Sequence, residues 1–444
     1  MDTLGRLLER FWFVPTAICV VAAVAAEVLV AVDERLGVLP LPAWAETFVY
    51  RVGESGSRDL LGAIATSALA VAGTTFSITV AVLALTSSSY GPRLVRNFMA
   101  DKVNQAVLGI FVATFLYALL VLRSVRAIGD PGDPDAEVFV PHLAVNGAVL
   151  LAVLDVTVLV YFIHHIADSI QVTTISRRVQ NDLRATVERL YPEELGVDEH
   201  AVTERPRLPA GLETDGGRVT AGRAGYVSYV QDDDLMAAAR EHDVLLALQV
   251  HPGRYVLGDG DVCLVHPAER LTEKLADRVR DAVGITDGRS PHQDVGFAVQ
   301  QLTELAVRAL SPGTNDPYTA INAIDDLSVG LSMLAGRRMP SPARLDDDHV
   351  LRVHAPYEDA TALTGEVLGT LRWYATGSPA VMHAALTLAE RVGGRARDDE
   401  LRARLSREVS LLDEAFRRAG HQDHDVEAYA ERAGRVRAAL ATGR

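Results

Sequence analysis

One acidic residue of the sequence stands inside an apolar run, where its carboxyl group could hold a proton or face an ion path. Asp155 lies near the middle of the run Leu143–Ile163. A carboxylate is costly at the centre of a bilayer and usually faces protein or water there. We therefore expect Asp155 to be protonated, or to meet a hydroxyl group of the run Leu60–Leu85 or Asn146 of a second copy. Glu27 lies nearer the end of its own run, so its side chain is expected to extend to the membrane surface.

A row of small residues in the run Leu60–Leu85 could either pack against a helix or line a pore. Its members recur at alternating spacings of four and three, which places them on one helical face. They are Ala63, Ser67, Ala70, Thr74, Ser77, Ala81 and Ala84. Small residues let helices approach closely in lipid, which is their commoner use. Several copies around a symmetry axis would instead present the hydroxyl groups to a polar pore, so the spacing fits both structures.

One short loop gathers hydroxyl, amide and carboxyl groups. Its residues are Ser311, Pro312, Gly313, Thr314, Asn315, Asp316 and Pro317. These types are those of a capped turn, with Asp316 as the N-cap of a helix and Pro317 as its first residue. We expect that turn, with Gly313 a candidate for a positive φ. A binding site that also uses Asp294 and Arg308 is the alternative, although an ionised Asp316 would repel an anion.

Two pairs of histidines are candidates for metal binding. His164 and His165 are neighbours, so their rings point about 100° apart on a helix, and we expect them to anchor that helix at the membrane surface. His421 and His424 lie in a polar stretch typical of a solvated loop. Strong metal sites need convergent ligands, so no metal site is predicted.

No catalytic signature stands out in the sequence. GxSxG, HExxH, P-loop and GxGxxG patterns are absent from suitable strand–helix contexts. The two cysteines, Cys19 and Cys263, are more than 240 residues apart, so they form neither a disulfide framework nor a CxxC zinc pair. We expect no enzyme activity, and the sequence assigns no cofactor.

Four apolar runs contain or flank most of these residues. Hydrophobic residues make up 49% of the 444, the mean hydropathy is +0.13, and the apolar residues are concentrated in the first 165 positions. A helix needs about 20 residues to cross a bilayer. Runs of roughly that length are Val14–Val32, Leu60–Leu85, Ala106–Leu122 and Leu143–Ile163. We predict a membrane domain of four helices over residues 1–167.

The charges flanking the runs predict the orientation of the chain. Basic residues precede the first run, separate the second from the third and follow the fourth: Arg6, Arg10, Arg93, Arg96, Lys102, Arg177, Arg178 and Arg184. The loop between the third and fourth runs carries Asp130, Asp133, Asp135 and Glu137. Cytoplasmic loops are enriched in Lys and Arg, so we expect a bacterial inner-membrane protein with both termini in the cytoplasm. Arg123 and Arg126 are the contrary charges.

The remainder of the chain is expected to form a cytoplasmic α+β region. Residues 168–444 hold 33 basic and 44 acidic residues, and this net charge of −11 excludes a nucleic-acid binder, which needs a basic face. We predict a helical extension and linker over 168–217, a small β-rich module over 218–268 and a helical domain over 269–444. Residues 339–348 are expected to form a loop.

The short strands and glycine turns of 218–268 predict a small barrel or sandwich. Gly225–Val227 and Pro252–Gly258 resemble the paired strands of lipoyl-like domains, which have a barrel-sandwich hybrid fold. In those domains a modified lysine lies between the two strands. Asp232–Asp234 occupy that turn here, so a carrier role is not implied.

Three stretches carry motifs in a fixed order along the chain. They are Pro92–Tyr117, Phe162–Ala167 and Gln293–Ala320, and the last contains the core ALSPGTNDPYTA. Together they resemble a family of bacterial predicted membrane proteins, domain of unknown function 2254. The resemblance covers roughly residues 10–335 and implies a polytopic membrane protein with a cytoplasmic C-terminal region, but no activity. Arg289–Pro291 departs from the family, in which Arg-Thr is usual, and about the last 80 residues carry no matching motif.

Two classes of function fit these observations. The first is a homo-oligomeric channel or transport protein in the lipid bilayer, with the small-residue run near the axis and the cytoplasmic region as gate or vestibule. The second is a membrane-anchored sensor or scaffold that binds a ligand or partner without transport. A ring of subunits would favour the first class, and a monomer or closed dimer the second.

The orientation can be tested by labelling single cysteines in intact cells, in a background without Cys19 and Cys263. A cysteine replacing Asp133 should react with a membrane-impermeant maleimide, because its loop is expected outside. A cysteine replacing Arg96 should react only after the membrane is opened. The reverse pattern would overturn the charge argument.

Overall fold

A computed structural model describes residues 12–36, 53–90, 101–126, 138–169, 171–191, 208–337 and 340–442. The chain divides into two compact units, Met1–Thr174 and Ile175–Arg444. Several residues used in the orientation argument lie outside the described residues, namely those before residue 12 and those within 91–100 and 127–137. Most of the expected linker, residues 192–207, also lies outside them.

The first unit consists of long apolar helices. Its described helices are α1 (Phe13–Leu36), α2 (Glu54–Tyr90), α3 (Lys102–Ser124) and α4 (His142–Ser169). Each is long and apolar enough to cross a membrane, so the prediction of four spans is confirmed. Helix α3 packs against all three of the others. Half of its apolar stretch is buried, compared with about a fifth of the apolar stretch of each other helix. The third run is therefore the centre of the unit.

A glycine allows α3 and α4 to approach closely. The Tyr117 hydroxyl on α3 donates a hydrogen bond of 2.9 Å to the carbonyl oxygen of Ala144 on α4. A Cβ atom at Gly147 would lie only 2.5 Å from that hydroxyl oxygen. The buried tyrosine is satisfied because the residue opposite it has no side chain.

Carboxylates cap the starts of α3 and α4. Asp33, near the end of α1, accepts hydrogen bonds from the backbone N–H groups of Leu143 (3.1 Å) and Ala144 (3.0 Å). Asp101 accepts one from Val103 N–H at 2.9 Å and lies 3.1 Å from His165 Nε2. These contacts satisfy N–H groups that a helix leaves unpaired at its start and connect neighbouring helices.

Glu27 is paired rather than simply extended towards the surface. Its carboxylate lies 2.6 Å from the guanidinium of Arg123, and Glu34 lies 3.6 Å from Arg126. Both of the basic residues that ran against the orientation argument thus have an acidic partner on α1. Pairing lowers the cost of placing a charge near the membrane.

The second unit begins with a helix that is separate from α4. We expected one helix through residue 190, but α4 ends at Ser169 and α5 spans Val172–Leu190. Gln171 lies between the two helices and outside both, and its N–H group bonds to the carbonyl oxygen of Asp168 at 3.1 Å. The short helix α6 (Leu212–Asp215) then leads into the first strand.

Two open sheets take the place of the expected barrel. The strands are β1 (Gly217–Thr220), β2 (Gly225–Val230), β3 (Leu245–Leu248), β4 (Tyr255–Val256), β5 (Asp261–His266), β6 (Val283–Thr286), β7 (Ala343–Leu345) and β8 (Leu351–His354). The larger sheet has the order β1-β5-β3-β8-β7, and the smaller has the order β4-β2-β6. Strands β2 and β4 do pair, as the lipoyl-like pattern predicts. The barrel was wrong because strands from beyond residue 268 take the open edges: β6 pairs with β2, and β8 pairs with β3.

Two strands lie in or beside the segment that was expected to be a loop. Strand β7 falls inside residues 339–348, and β8 begins three residues beyond them. The turn between them is held by Asp346, which accepts hydrogen bonds from Asp348 N–H, Val350 N–H and Arg352 Nε at 2.7–3.0 Å. The hydrogen bond from Arg352, and then that from Val350, holds the pKa of Asp346 below its ordinary value. Asp346, the first of three consecutive aspartates (Asp346–Asp348), therefore organises the hairpin.

The helices of the second unit follow the sequence pattern closely. They are α7 (Asp232–His242), α8 (Glu273–Ala282), α9 (Val295–Ala309), α10 (Pro317–Ala335), α11 (Ala360–Tyr374), α12 (Pro379–Gly393), α13 (Asp399–Arg418) and α14 (Asp423–Thr442). Helix α9 buries an apolar face that includes Val299, Leu302 and Leu305, and it packs on α10. Helices α7 and α8 cover the sheets and share their core.

Gly147→Ala should destabilise the membrane unit, because its new Cβ atom would collide with the Tyr117 hydroxyl. We expect a loss of about 1–3 kcal/mol, the usual cost of overpacking a closed contact. Thermal unfolding in detergent measures it. Gly62→Ala on α2 is the matched control, since nothing lies within 4 Å of a Cβ atom there. Equal stability of the two variants would contradict the close approach of α3 and α4.

Candidate functional site

The small-residue face of α2 points away from the other helices of its own chain. All seven of its members, Ala63, Ser67, Ala70, Thr74, Ser77, Ala81 and Ala84, are exposed. The buried residues of α2 lie on the other side of the helix and include Leu61, Ala68, Ala72, Thr75 and Thr79. Packing against α1, α3 or α4 therefore does not account for the small residues.

The hydroxyl groups on that face bond to their own helix. Ser67 Oγ donates to Ala63 O at 2.8 Å, and Thr74 Oγ1 donates to Ala70 O at 3.0 Å. Ser77 Oγ likewise donates to Gly73 O at 2.9 Å. Each hydroxyl proton is thereby satisfied, while the oxygen can still accept a hydrogen bond from outside.

Asp155 is placed between two helices, away from that face. It is buried on α4 and accepts a hydrogen bond of 3.0 Å from Thr114 Oγ1 on α3. The partner is thus a hydroxyl of the third run, and not one of the second as expected. Asn146 donates its amide to the carbonyl oxygen of His142 on its own helix at 2.7 Å. Asp155 and the small-residue face therefore form no common site within one chain.

The histidine pairs do not assemble a metal site. His165 bonds to Asp101 and stacks on Tyr161, whereas His164 is exposed. His421 Nε2 lies 2.7 Å from the carbonyl oxygen of Thr376. Among the described residues no group of three His, Cys, Asp or Glu side chains could hold a metal ion.

The loop Ser311–Pro317 forms the capped turn that its sequence predicts. Asp316 accepts hydrogen bonds from Thr319 N–H at 3.1 Å and from the Thr319 hydroxyl at 2.6 Å, and Pro317 begins α10. These hydrogen bonds hold the pKa of Asp316 below its ordinary value. The positive φ belongs to Asn315 (46°) and not to Gly313, because asparagine tolerates the left-handed region.

Of the two proposed neighbours of that loop, Asp294 lies far from it, and the Arg308 side chain is paired within its own helix. Asp294 is the N-cap of α9, whereas the loop follows the other end of this 15-residue helix, roughly 22 Å away at 1.5 Å per residue. Arg308 pairs with Glu304 on its own helix at 2.9 Å. The loop and Asp294 thus belong to different parts of the unit.

The second unit contains a small cavity that the sequence did not reveal. Its volume is about 70 Å³. We call it the Glu358 cavity, and its lining residues are Leu190, Tyr191, Val230, Asp232, Leu248, Val250, His251, Pro252, Gln293, Val295, Arg344, Ala355, Pro356, Tyr357 and Glu358. Strands β3 and β8 run parallel, and the segments after both strands line the cavity. Ligands of open α/β sheets commonly bind at the carboxyl ends of parallel strands.

The motif Gln293–Phe297 builds one wall of the cavity. The Gln293 side chain accepts from Val230 N–H at 2.8 Å and donates to Val230 O at 3.3 Å, so it extends the hydrogen bonding of β2. Asp294 caps α9 by accepting from Phe297 N–H at 2.8 Å. It also forms two hydrogen bonds with the Arg289 guanidinium, at 2.7 and 2.6 Å. Fully buried Asp294 is therefore neutralised by Arg289 in a bidentate pair.

Glu358, which lies 65 residues after Gln293 in the sequence, contributes to the same wall. Its carboxylate accepts a hydrogen bond from Gly296 N–H at 3.1 Å. A Cβ atom at Gly296 would lie 2.4 Å from Glu358 Oε2, so the motif glycine leaves the space that the carboxylate fills. Burial, reinforced by the charge of Asp294, raises the pKa of Glu358 above its ordinary value. His251 and Arg289 oppose that shift.

Arg344 and two tyrosines form another part of the lining. The Arg344 guanidinium lies over the Tyr357 ring at 5.2 Å, donates to the Tyr357 hydroxyl and to Ser341 O, and lies 3.5 Å from Asp232. The ring of Tyr191 is 6.0 Å from that of Tyr357. The cavity thus combines an arginine, a carboxylate and aromatic walls. Sequence reasoning noted the motif and Asp294 but gave no signal for Glu358 or Arg344.

These features define the class as a membrane protein with a four-helix membrane unit and a separate α/β unit. The family model described as "Predicted membrane protein (DUF2254)" matches residues 9–391, and the chain belongs to this family. It is similar to the uncharacterized protein Rv1290c of Mycobacterium tuberculosis (strain ATCC 25618 / H37Rv), with 31% identity over 430 residues. The similarity to uncharacterized protein Mb1321c of Mycobacterium bovis (strain ATCC BAA-935 / AF2122/97) has the same extent. Each alignment covers 95% of this chain and 79% of the relative. No solved structure matches.

Asp316→Ala should lower the stability of the second unit by about 1 kcal/mol, because the first turn of α10 loses its cap. Thermal unfolding of the full chain in detergent measures the loss. Asp281→Ala, at an exposed position of α8, is the control and should unfold with the wild type. An unchanged unfolding temperature for Asp316→Ala would show that the turn does not depend on its cap.

Glu358→Gln should make the second unit more stable at pH 7. A carboxyl with a raised pKa in the folded state contributes most below its ordinary pKa of 4.5, and that contribution is lost as the pH rises through the raised value. Glutamine keeps the acceptor for Gly296 N–H and cannot ionise. Unfolding temperatures measured from pH 4.5 to pH 8 should therefore separate at the upper end and converge at the lower end. A variant less stable than the wild type throughout that range would contradict the cost assigned to the buried charge.

Proposed function

We propose that this protein is a homo-oligomer of the channel or transport class, in which the small-residue face of α2 makes the contact between copies around a common axis. The observation that carries the proposal is that all seven members of this face are exposed in the single chain. Helices associate in lipid chiefly through close packing of small residues. The face has no partner among the described residues of its own unit, so a second copy is the partner we propose.

The chemistry of the face favours an axial position. Ser67, Thr74 and Ser77 each have an oxygen that can still accept a hydrogen bond, which lipid cannot donate. Copies arranged around an axis would direct these oxygens towards one another or towards water. The proposal includes no catalytic step and no nucleic-acid partner.

The proposed setting is the bacterial inner membrane, with both termini and the second unit in the cytoplasm. The excess of basic residues at the cytoplasmic ends of the runs supports this orientation. The acidic partners of Arg123 and Arg126 support it further, since paired arginines weigh less against the positive-inside pattern. The second unit would then be placed to act as a gate or vestibule.

Disulfide trapping tests the contact directly. Ser77→Cys, in a chain without Cys19 and Cys263, should crosslink between copies when membranes are oxidised. Leu150→Cys is the matched control, because this residue of α4 is 70% exposed but lies outside the face. A crosslinked dimer with Ser77→Cys alone supports the proposal. Absence of crosslinking, or equal crosslinking at both positions, would remove α2 from the contact.

Bulk added on the same face tests what the contact does. Ala70→Leu or Ala81→Leu should reduce the oligomer mass in detergent, because each places a large side chain where two backbones should nearly touch. Val80→Leu, exposed on α2 but about 100° from Ala81, should leave the mass unchanged. Ion or solute flux through proteoliposomes should fall with the first two variants only.

The Glu358 cavity favours a second function, a membrane-anchored sensor that binds a small ligand in its second unit. This function requires neither a pore nor a ring of subunits. A chain that is monomeric in detergent and inactive in flux, yet stabilised by a ligand, would support the sensor over the channel.

A further inference from the structure

We propose that the Glu358 cavity binds a small zwitterion of α-amino-acid type, with its ammonium group at Glu358 and its carboxylate at Arg344. The inference rests on the sensor function proposed above and names the ligand of that site. The cavity lies within a single unit, and its volume of about 70 Å³ is several times the roughly 10–15 Å³ that one water needs on the same measure.

Glu358 supplies a negative charge that His251 and Arg289 attract without forming a salt bridge with it. The neighbouring charges of Arg289 and Asp294 cancel in their bidentate pair. In the described part of the chain, no Arg, Lys or His nitrogen forms a salt bridge with Glu358, and its hydrogen bond comes from a neutral backbone N–H. A carboxylate that is partly buried without a cation in contact is costly. An ammonium group in the cavity would provide the missing positive charge.

Arg344 supplies the opposite charge elsewhere on the lining. A guanidinium has five N–H donors. The contacts of Arg344 with Ser341, Tyr357 and Asp232 involve its two terminal nitrogens. The 3.5 Å contact with Asp232 is long, and that carboxylate is half exposed, so the pair is weak. A ligand carboxylate can therefore compete with Asp232 for Arg344 and form charge-assisted hydrogen bonds.

The remaining walls suit a small apolar side chain. Val230, Leu248, Val250 and Ala355 are buried and line the cavity. A ligand with an amine alone would leave Arg344 to Asp232, and one with a carboxylate alone would meet the charge of Glu358. A molecule that carries both groups and a short apolar side chain matches all three parts of the lining.

Thermal unfolding of the full chain in detergent tests the ligand class with matched probes. Three probes share an apolar branch: L-valine carries both charges, isobutylamine carries the amine alone, and isobutyrate carries the carboxylate alone. L-alanine and L-leucine extend the series in size. At 10 mM, at least one amino acid should raise the unfolding temperature by about 2 °C or more. The amine and the carboxylate should each leave it unchanged. No shift with any amino acid, or an equal shift with isobutylamine, overturns the proposal, and this comparison needs no variant.

Variants then assign the two charges. Glu358→Gln should abolish the amino-acid shift while the variant without ligand unfolds at the wild-type temperature or above it, which separates a ligand role from a structural one. Arg344→Gln should also abolish the shift. Glu366→Gln and Arg218→Gln, at exposed positions outside the lining, are the charge-matched controls and should keep it. A shift retained by both Glu358→Gln and Arg344→Gln would refute the assignment.

The failure of the sensor function can be told apart from the failure of the ligand class. A stabilising amino acid that changes neither the oligomer mass nor the flux would leave the zwitterion site standing and refute signalling through it. An absence of stabilisation would refute the zwitterion itself, whatever the oligomeric state.

Discussion

Within each of the two units, carboxylates at helix starts connect neighbouring elements or order a turn. A helix leaves its first N–H groups unpaired, and a carboxylate that accepts from them also gains from the helix dipole. Asp101 does this for the central span and Asp33 for the last span. Asp294 and Asp316 do it for the two helices that carry the family motifs. Asp33 connects α1 to α4, and Asp101 connects the start of α3 to His165 on α4. Asp294 also pairs with Arg289, which orders the turn before α9.

The arrangement of the spans follows from where close packing is available. Helix α3 contacts all three of its neighbours, and its approach to α4 depends on Gly147 lying opposite Tyr117. Helix α2 packs with the opposite face and leaves its smallest residues exposed. In lipid, close packing between small residues is what drives the association of helices. Under the function proposed above, the outward face of α2 contacts a second copy rather than a helix of its own unit.

Two neighbouring carboxylates at the Glu358 cavity differ in how well the protein satisfies them. The motif around Asp294 is fully satisfied by Arg289, Phe297 and the β2 backbone through Gln293. Glu358 beside it is partly buried with a backbone N–H as its partner, and this burial raises its pKa. Natural proteins tend to accept such local costs at binding sites. A carboxylate, an arginine and two tyrosines around one small cavity fit that pattern.

Local properties were enough to predict much of this structure. The lengths of the apolar runs predicted the four spans. Asp316 and Pro317 gave the start of α10 because a cap depends only on residues within one turn. The alternation of four and three also located the small-residue face of α2, since helical spacing fixes which side chains lie together.

Everything that depends on distant pairing had to come from the tertiary structure. The expected barrel became two sheets because β6 and β8 come from beyond the predicted module, and strands of three or four residues leave little periodic signal. Asp155 found Thr114 on α3 rather than a hydroxyl of α2 because the packing of the spans, and not their composition, chooses neighbours. Glu358 meets Gly296 across 62 residues of chain. The sequence by itself determined the four spans and the Asp316 cap, whereas folding decided which carboxylates, arginines and small faces came together, because contact between side chains far apart in the chain has no local sequence signal.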